Sequence, residues 1–360
     1  MLIIFAFKKA STPKKTKYIA SCKKPNMRAL IPVAGVGTRL RPHTYTQPKP
    51  LLPVAGKPII SFLIEQLKDV GVNDFVFVIG YLGEKIRDYV EVAHPNINKE
   101  FVVQEERLGL GHAVWTARQL LKGDEHCFIA LGDTIYDVDF RVMMNEPSSC
   151  VGVRKVDDPR RFGVAELDEV GNVRRVVEKP RNPKSNLALV GLYKCLNLSK
   201  LMDALDYNIS NGIRTYDEFQ LTDGLMRIIE QGEKIKPITV HNWFDCGQIN
   251  VLLETNTLML KKPGFTTNPL PVFPNTIIIP PVNIGVSCQI QDSIVGPNVT
   301  IGDHVHLQNA IVQDAIIGNY SSLKEIILHH SVIGSDTSIH GLAQSLNIGD
   351  NTEIDFSKIH

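Results

Sequence analysis

The sequence predicts an α/β domain with a mixed, mainly parallel sheet, followed by a left-handed parallel β-helix. Three observations carry that prediction. Residues 27–260 alternate short apolar runs with segments of helical periodicity. Prolines crowd residues 261–281, KKPGFTTNPLPVFPNTIIIPP, and mark a linker. Beyond it an aliphatic residue precedes glycine at Ile284-Gly285, Ile301-Gly302, Ile317-Gly318, Ile333-Gly334 and Ile348-Gly349, at intervals near three hexapeptides. Aliphatics at that interval stack inside a parallel β-helix while Gly and Asn turn its corners, so residues 282–360 read as about four coils.

Each element of the first domain has its own reason. Residues 30–33 form a short apolar strand, and 59–70 a helix with Ile60, Leu63 and Leu67 on one face. DFVFVIG, 74–80, is a buried strand, 84–92 a helix, 101–104 a strand and 112–121 a helix. CFIAL, 127–131, is another strand and runs into Gly132-Asp133. Residues 217–232 read as a helix with Thr222 as N-cap and Gly232 as its stop. Such alternation places helices on both faces of the sheet. Ligands of these sheets bind beyond the carboxyl ends of the strands, where the glycine turn at 35–37 and Asp133 both fall.

Composition excludes several function classes. The net charge of +1 is uneven: residues 1–26 hold seven lysines and no acid, and removing those seven charges from +1 leaves −6 for residues 27–360. The body therefore lacks the basic footprint of a nucleic-acid-binding protein. Residues 1–26 read as a disordered extension, or as upstream translation from a start site placed too early. No run approaches the roughly 20 apolar residues of a membrane helix. The six cysteines form no C-x-x-C pair and read as reduced thiols of a cytoplasmic protein. His304, His306, His329 and His330 have no partners at metal-ligand spacing and read as solvent-facing.

The chemistry concentrates in LIPVAGVGTRLRPHTYTQPKPLLPVAGKPII, residues 30–60. Glycines at 35 and 37 let the backbone approach a phosphate and aim N–H groups at it. Arg39, Arg41 and a Lys49 braced by Pro48 and Pro50 follow. This is not a P-loop, because no G-x-x-x-x-G-K-[ST] is present. It is not a dinucleotide fingerprint either, because Leu40 occupies the third glycine position. What remains is a cradle for a polyphosphate.

This run resembles the signature of the sugar-1-phosphate nucleotidylyltransferases, G-x-G-T-R-L-R-P-x-T…P-K-P-L-x-P-x-x-x-K-P-I. Ala34 stands where that family ordinarily has the first of two glycines. There the segment is similar to bacterial glucose-1-phosphate uridylyltransferases, whereas R-P-H-T…P-K-P-L resembles the thymidylyl- and guanylyltransferase branches. Further motifs follow in the family's order: Gln104 with Gly109-Leu110-Gly111-His112-Ala113, Leu131-Gly132-Asp133, Phe162-Gly163-Val164, Glu178-Lys179-Pro180, Glu218 to Asp223, and Trp243-Phe244-Asp245-Cys246-Gly247.

The resemblance implies a Rossmann-like nucleotidyltransferase domain and assigns roles. Ala34, Gly35, Gly37 and Thr38 would hold the nucleotide, and Gln104 and Gly109 its base. Gly163, Glu178 and Leu189 would hold the sugar. Arg39, Lys49 and Lys179 would be catalytic, with Lys179 on the sugar phosphate. Asp133 and Asp245 would bind Mg²⁺. The expected partners are a nucleoside triphosphate and a sugar 1-phosphate, with no nucleic acid and no membrane, in a homo-oligomer. Glucose 1-phosphate with dTTP or UTP is the favoured pair; the two bases differ by one methyl, worth only about 1–3 kcal/mol in a pocket. Two alternatives stand beside this reading: a non-catalytic regulatory subunit of the same fold, and a bifunctional enzyme whose β-helix also transfers an acyl group.

Overall fold

The computed structural model describes residues 27–123, 126–341 and 346–355; residues 1–26, discussed above, lie outside these. The chain opens with β1 (Arg28–Pro32), then a long segment that reaches a two-residue hairpin of β2 (Pro53–Val54) and β3 (Lys57–Pro58), then α1 (Ile59–Asp69). Ile60, Leu63, Ile64 and Leu67 bury one face of α1. It ends where Gly71 takes φ 92° and donates to the Lys68 carbonyl at 2.8 Å, a left-handed glycine stop. There follow β4 (Asp74–Ile79), α2 (Gly83–Ala93), β5 (Asn98–Val103), α3 (Leu110–Thr116), β6 (Cys127–Ala130), β7 (Thr134–Asp137) and α4 (Phe140–Asn145). The domain continues with β8 (Ser149–Lys155), β9 (Gly163–Leu167), β10 (Val173–Glu178), β11 (Leu187–Cys195), α5 (Leu198–Ser210), α6 (Leu221–Glu230), β12 (Ile235–Thr239), β13 (Asn242–Asp245) and α7 (Ile249–Leu260).

One mixed sheet organises these elements. Its order is β10-β9-β11-β6-β1-β4-β5, with β8 beside β11 and β12 beside β8. β6, β1, β4 and β5 run parallel, and β11 joins antiparallel to β6. β6, β1 and β4 are buried on both faces, whereas β5 is a partly exposed edge strand. Leu30, Val76 and Val78 pack with Val114 of α3 and with Leu201, Leu205 and Leu225 of α5 and α6. Their alternate neighbours Ile31, Phe75 and Phe77 pack with Leu63, Ile64, Ile86 and Met143 of α1, α2 and α4. That alternation sends consecutive residues into opposite hydrophobic layers, as expected of a doubly covered sheet.

After α7 the chain winds into a parallel β-helix with three stacked sheets. It begins one strand earlier than residue 282, because Ile277–Ile278, hidden among prolines, already pairs with Ile294–Val295. The other early difference concerns 217–232. The helix begins only at Leu221, so Thr222 lies inside it and caps nothing.

The outward columns of the three β-helix faces differ. One is polar, running through Gln289, His306, Ser322, Ser338 and Glu353. A second, through Asn283, Thr300, Ile316, Val332 and Asn347, docks on the first domain. Ile316 and Val332 join Leu40, Leu52, Val54 and Leu253 in a shared core. At the centre of this seam Asn256, 1% exposed on α7, accepts from the Ala55 amide at 2.8 Å and from the Thr300 hydroxyl at 2.7 Å. Asn256→Ala leaves these buried groups unpaired and is expected to lower unfolding free energy by about 1–3 kcal/mol. Chemical denaturation measures it, and an unchanged value would mean the seam contributes nothing through this residue.

Candidate active site

Two cavities, of ≈ 450 and ≈ 240 Å³, open at the carboxyl ends of the parallel strands and share Arg39, Lys49, Leu110, Leu131 and Asp133 in their walls. They form one site with two lobes. The meeting point is built by β-sheet register. Asp133 follows β6, and β13 pairs antiparallel with β7 so that Asp245 stands opposite Thr134. The two aspartates thereby face one another. Between them lies Lys49, its Nζ 2.7 Å from Asp133 Oδ2 and 2.6 Å from Asp245 Oδ1. Arg39 approaches the other oxygen of Asp245, at 3.7 Å.

Lys49 is 5% exposed. Burial works against its charge, but the two carboxylates outweigh burial and hold the ammonium above its ordinary pKa. Burial likewise disfavours the Asp133 carboxylate, and Lys49 overcomes it, leaving that carboxyl below the usual range. Lys49 and Asp133 are therefore both ionised at neutral pH. Prolines 48 and 50 flank the lysine, whose 3₁₀ turn spans Lys49–Leu51.

The larger lobe begins at the turn after β1. Ala34, Gly35, Gly37, Thr38 and Arg39 line it. Gly37 has φ 66°, and its carbonyl accepts from the Thr44 hydroxyl at 2.9 Å. Gln104 closes the far side. Its Nε2 donates to the Gly109 carbonyl at 3.2 Å and lies 3.0 Å from His112 Nδ1. Burial pushes the His112 imidazole down, so the ring is neutral and Nδ1 can accept. Gly109 has φ 110°, and a Cβ there would come 2.7 Å from the Phe219 carbonyl.

The smaller lobe is lined by Gly163, Glu178, Leu189 and Asp245, with Arg39, Lys49 and Asp133. β11 slips register between Leu189 and Tyr193, and that irregularity turns the strand toward the lobe. Thr222 donates to Glu178 Oε2 at 3.0 Å. Its place in the helix thus serves the site. Lys179 lines neither lobe; its ammonium stands 3.5 Å from Glu178 Oε1 at the margin. Its backbone is left-handed, φ 40°, held by its own N–H donating to Phe162 and by the Tyr216 hydroxyl donating to its carbonyl at 2.7 Å. Sequence reasoning missed Arg107 and Arg161, one in each lobe, and Tyr216. The two arginines stand next to the Gly109 and Gly163 motifs, a proximity that could have exposed them; Tyr216 gave no signal.

A lobe reaching a cationic turn, a second lobe ending in a carboxylate, and an ion cluster between them suit a reaction that joins two anionic ligands. Comparison with known proteins agrees. Residues 28–262 match the family described as Nucleotidyl transferase.

The chain belongs to the nucleotidyl transferase family.

Over 353 residues it is 34% identical to the bifunctional protein GlmU of Methanococcus vannielii, covering 91% of this chain and 80% of the relative. It is 29% identical to a glucose-1-phosphate thymidylyltransferase of Streptomyces antibioticus over 364 residues, covering 91% and 99%. A crystal structure of UDP-glucose pyrophosphorylase complexed with UDP-glucose superposes with a TM-score of 0.58 at 24% identity, covering 65% of this chain and 98% of that one. At that identity the likeness shows the fold.

The ion cluster has a pH signature. Asp133 is held below its ordinary 3.8, so its contribution to stability is present above that value and is lost as pH falls through the folded pKa. Lys49 is held above its ordinary 10.5, so its contribution is full below that value and is lost as pH rises through the folded pKa. Wild type should therefore exceed Lys49→Met in stability near pH 7. The lead should shrink at about pH 3 and again at about pH 11, as ionisation of Asp133 and of Lys49 reverses. Denaturant titrations at the three pH values read this; a constant lead contradicts it.

Proposed function

We propose that the chain is a sugar-1-phosphate nucleotidylyltransferase, converting a nucleoside triphosphate and a sugar 1-phosphate into a nucleoside diphosphate sugar and pyrophosphate. The observation that carries the proposal is the meeting of the two lobes at Lys49, Asp133 and Asp245. The triphosphate occupies the larger lobe, its base near Gln104 and Gly109 and its phosphates along the 34–39 turn. The sugar occupies the smaller lobe against Glu178, with Gly163 and Leu189 beneath it. A phosphate oxygen of the sugar 1-phosphate attacks the α-phosphorus. The bond from that phosphorus to the bridging oxygen breaks, and pyrophosphate leaves carrying the electron pair. Favoured substrates are glucose 1-phosphate with dTTP or UTP.

The residues supply charge and placement, which is most of what phosphoryl chemistry requires. Arg39 and Lys49 neutralise the α-phosphate and the leaving group. Lys179 at the margin draws in the sugar phosphate. Among the described residues no three His, Cys, Asp or Glu groups cluster for a metal. Two hard carboxylates about one small space nonetheless fit Mg²⁺, which takes few protein ligands and completes its shell with phosphates and water. When bound there, Mg²⁺ would neutralise charge on the phosphate oxygens. Asp133 and Asp245 are its ligands in this reading.

The third face of the β-helix supports a homo-oligomer. Ile277, Ile294, Ile311 and Ile327 stack in register along it, and the first, third and fourth are 59%, 43% and 46% exposed. A second copy packing on this ladder would bury it. Light scattering should show Ile311→Lys with Ile327→Lys falling to a smaller species; an unchanged mass removes the proposal. The bifunctional alternative draws on the alignment with the GlmU relative, which spans 91% of this chain. Acetyl-CoA consumption with an amino-sugar phosphate would establish it.

The principal test is pyrophosphate release across a panel of triphosphates and sugar 1-phosphates. Release is expected with glucose 1-phosphate and dTTP or UTP, and Asp133→Asn should reduce kcat by about 10²–10³-fold. No release with any pair refutes the proposal, and full turnover by Asp133→Asn refutes the role of the cluster.

A further inference from the structure

The segment between Arg39 and Lys49 does not rest on its own domain alone. Residues 42–46 reach the last described coil of the β-helix, some three hundred positions later in the chain. His43 Nε2 hydrogen-bonds Asn347 Oδ1, and the Thr46 hydroxyl donates to Asp350 Oδ2. The backbone of Gly349 lies beneath the Pro42 ring, where an added Cβ would come 3.2 Å from Pro42 Cβ. These acceptors belong to a rigid array. Asn347 pairs in register with Val332, and the other oxygen of Asp350 accepts the Ser335 amide at 2.7 Å.

The contact is also tied to the phosphate turn. Thr44, fully buried between His43 and Thr46, donates to the Gly37 carbonyl at 2.9 Å. His43 is itself 3% exposed. On the opposite side Lys85 donates to the Thr46 carbonyl at 2.7 Å and Tyr81 to the Tyr45 carbonyl at 3.2 Å. The segment from β1 to the β2–β3 hairpin contains only short 3₁₀ turns. Its own regular structure therefore does little to fix Arg39 and Lys49, and anchors at residues 43 and 46 supply what is missing. A misplacement of about 1 Å in such a site can cost about 10²-fold in rate.

We infer that Asn347 and Asp350 are positioning residues of the triphosphate lobe, acting through His43 and Thr46 on the 35–39 turn, so that the last β-helix coil is a working part of the nucleotide site. This rests on the reading above that the larger lobe takes the triphosphate. The β-helix then has a role in binding beside any role in assembly. It also makes a graded distinction between substrates: the coil acts through the 35–39 turn of the larger lobe and through Arg39 and Lys49 where the lobes meet, and nothing in the contact touches Glu178 or Gly163.

The test uses the full chain and four variants: Asn347→Ala, Asp350→Asn, Thr46→Val and the conservative Thr46→Ser. The readouts are the Kd of dTTP and UTP by calorimetry, the KM of each substrate and the thermal midpoint. Asn347→Ala and Thr46→Val are expected to weaken triphosphate binding about 10-fold, as for loss of one buried hydrogen bond. The KM for glucose 1-phosphate should rise clearly less than that for the triphosphate, because Gly163, Glu178 and Leu189 are untouched, and Thr46→Ser should retain wild-type binding. Unchanged Kd values in Asn347→Ala, Asp350→Asn and Thr46→Val overturn the inference. So does an equal rise in both KM values that follows a fall in thermal midpoint, because that is the mark of a structural role alone. Wild type that binds triphosphate without releasing pyrophosphate refutes the catalytic proposal, while the variants' Kd values still decide this one. Wild type that binds no triphosphate overturns both.

Discussion

The ion pair of Lys49 with Asp133 and Asp245 is the constraint on which the rest of the site depends. Two carboxylates facing one another repel unless a cation stands between them. The buried ammonium contacts both carboxylates and holds the Asp133 carboxyl below its usual range. It also fixes three distant pieces of chain at one point: the proline-braced turn at 48–50, the loop after β6 and the end of β13. Breaking such a partly buried triad leaves uncompensated charge, which costs more than the intact pair contributes. The arrangement is therefore better understood as a device for holding reactive groups in register than as a source of stability.

From that point the architecture divides the labour. The parallel half of the sheet delivers the 34–39 turn and Gln104 to the larger lobe. The antiparallel half, β9 to β11, delivers Gly163, Glu178 and Leu189 to the smaller one. The segment from Thr215 to Thr222 touches both. Its Phe219 backbone bonds to Leu108 and Gly111 on either side of Gly109, and Thr222 and Tyr216 reach Glu178 and Lys179. A shift of this segment would be felt in both lobes at once.

Much of this was legible in the residues, and the limits have physical causes. Continuous apolar runs and period-3.6 patterns located β1, β4, β6, α1 and α2 to within a residue or two, because these strands are buried on both faces. The boundary of α6 was misplaced because Asp217 to Gln220 looks helical by composition, whereas Tyr216 and Asp217 adopt left-handed backbone and start a turn closed by Thr215 and Glu218. Ala34 reads as a departure from the family's glycine; its methyl is accommodated because Gly80 stands opposite, where an added Cβ would come within 2.9 Å. The spacing of site motifs could order Lys49, Asp133 and Asp245 along the chain but could not show the lysine seated between the two acids. Least visible of all was the contact of Pro42 to Thr46 with Asn347 to Asp350, because no local pattern encodes a pairing across some three hundred residues.

The central claim is that one ion cluster joins a nucleotide lobe to a sugar lobe. A crystal structure with a nucleoside diphosphate glucose and Mn²⁺ tests it most directly, using the anomalous signal of the metal. The account predicts the base beside Gln104 and Gly109, the sugar against Glu178, the metal between Asp133 and Asp245, and the Lys49 ammonium on phosphate oxygen. A nucleotide bound outside the two lobes, or a metal away from both aspartates, would contradict it.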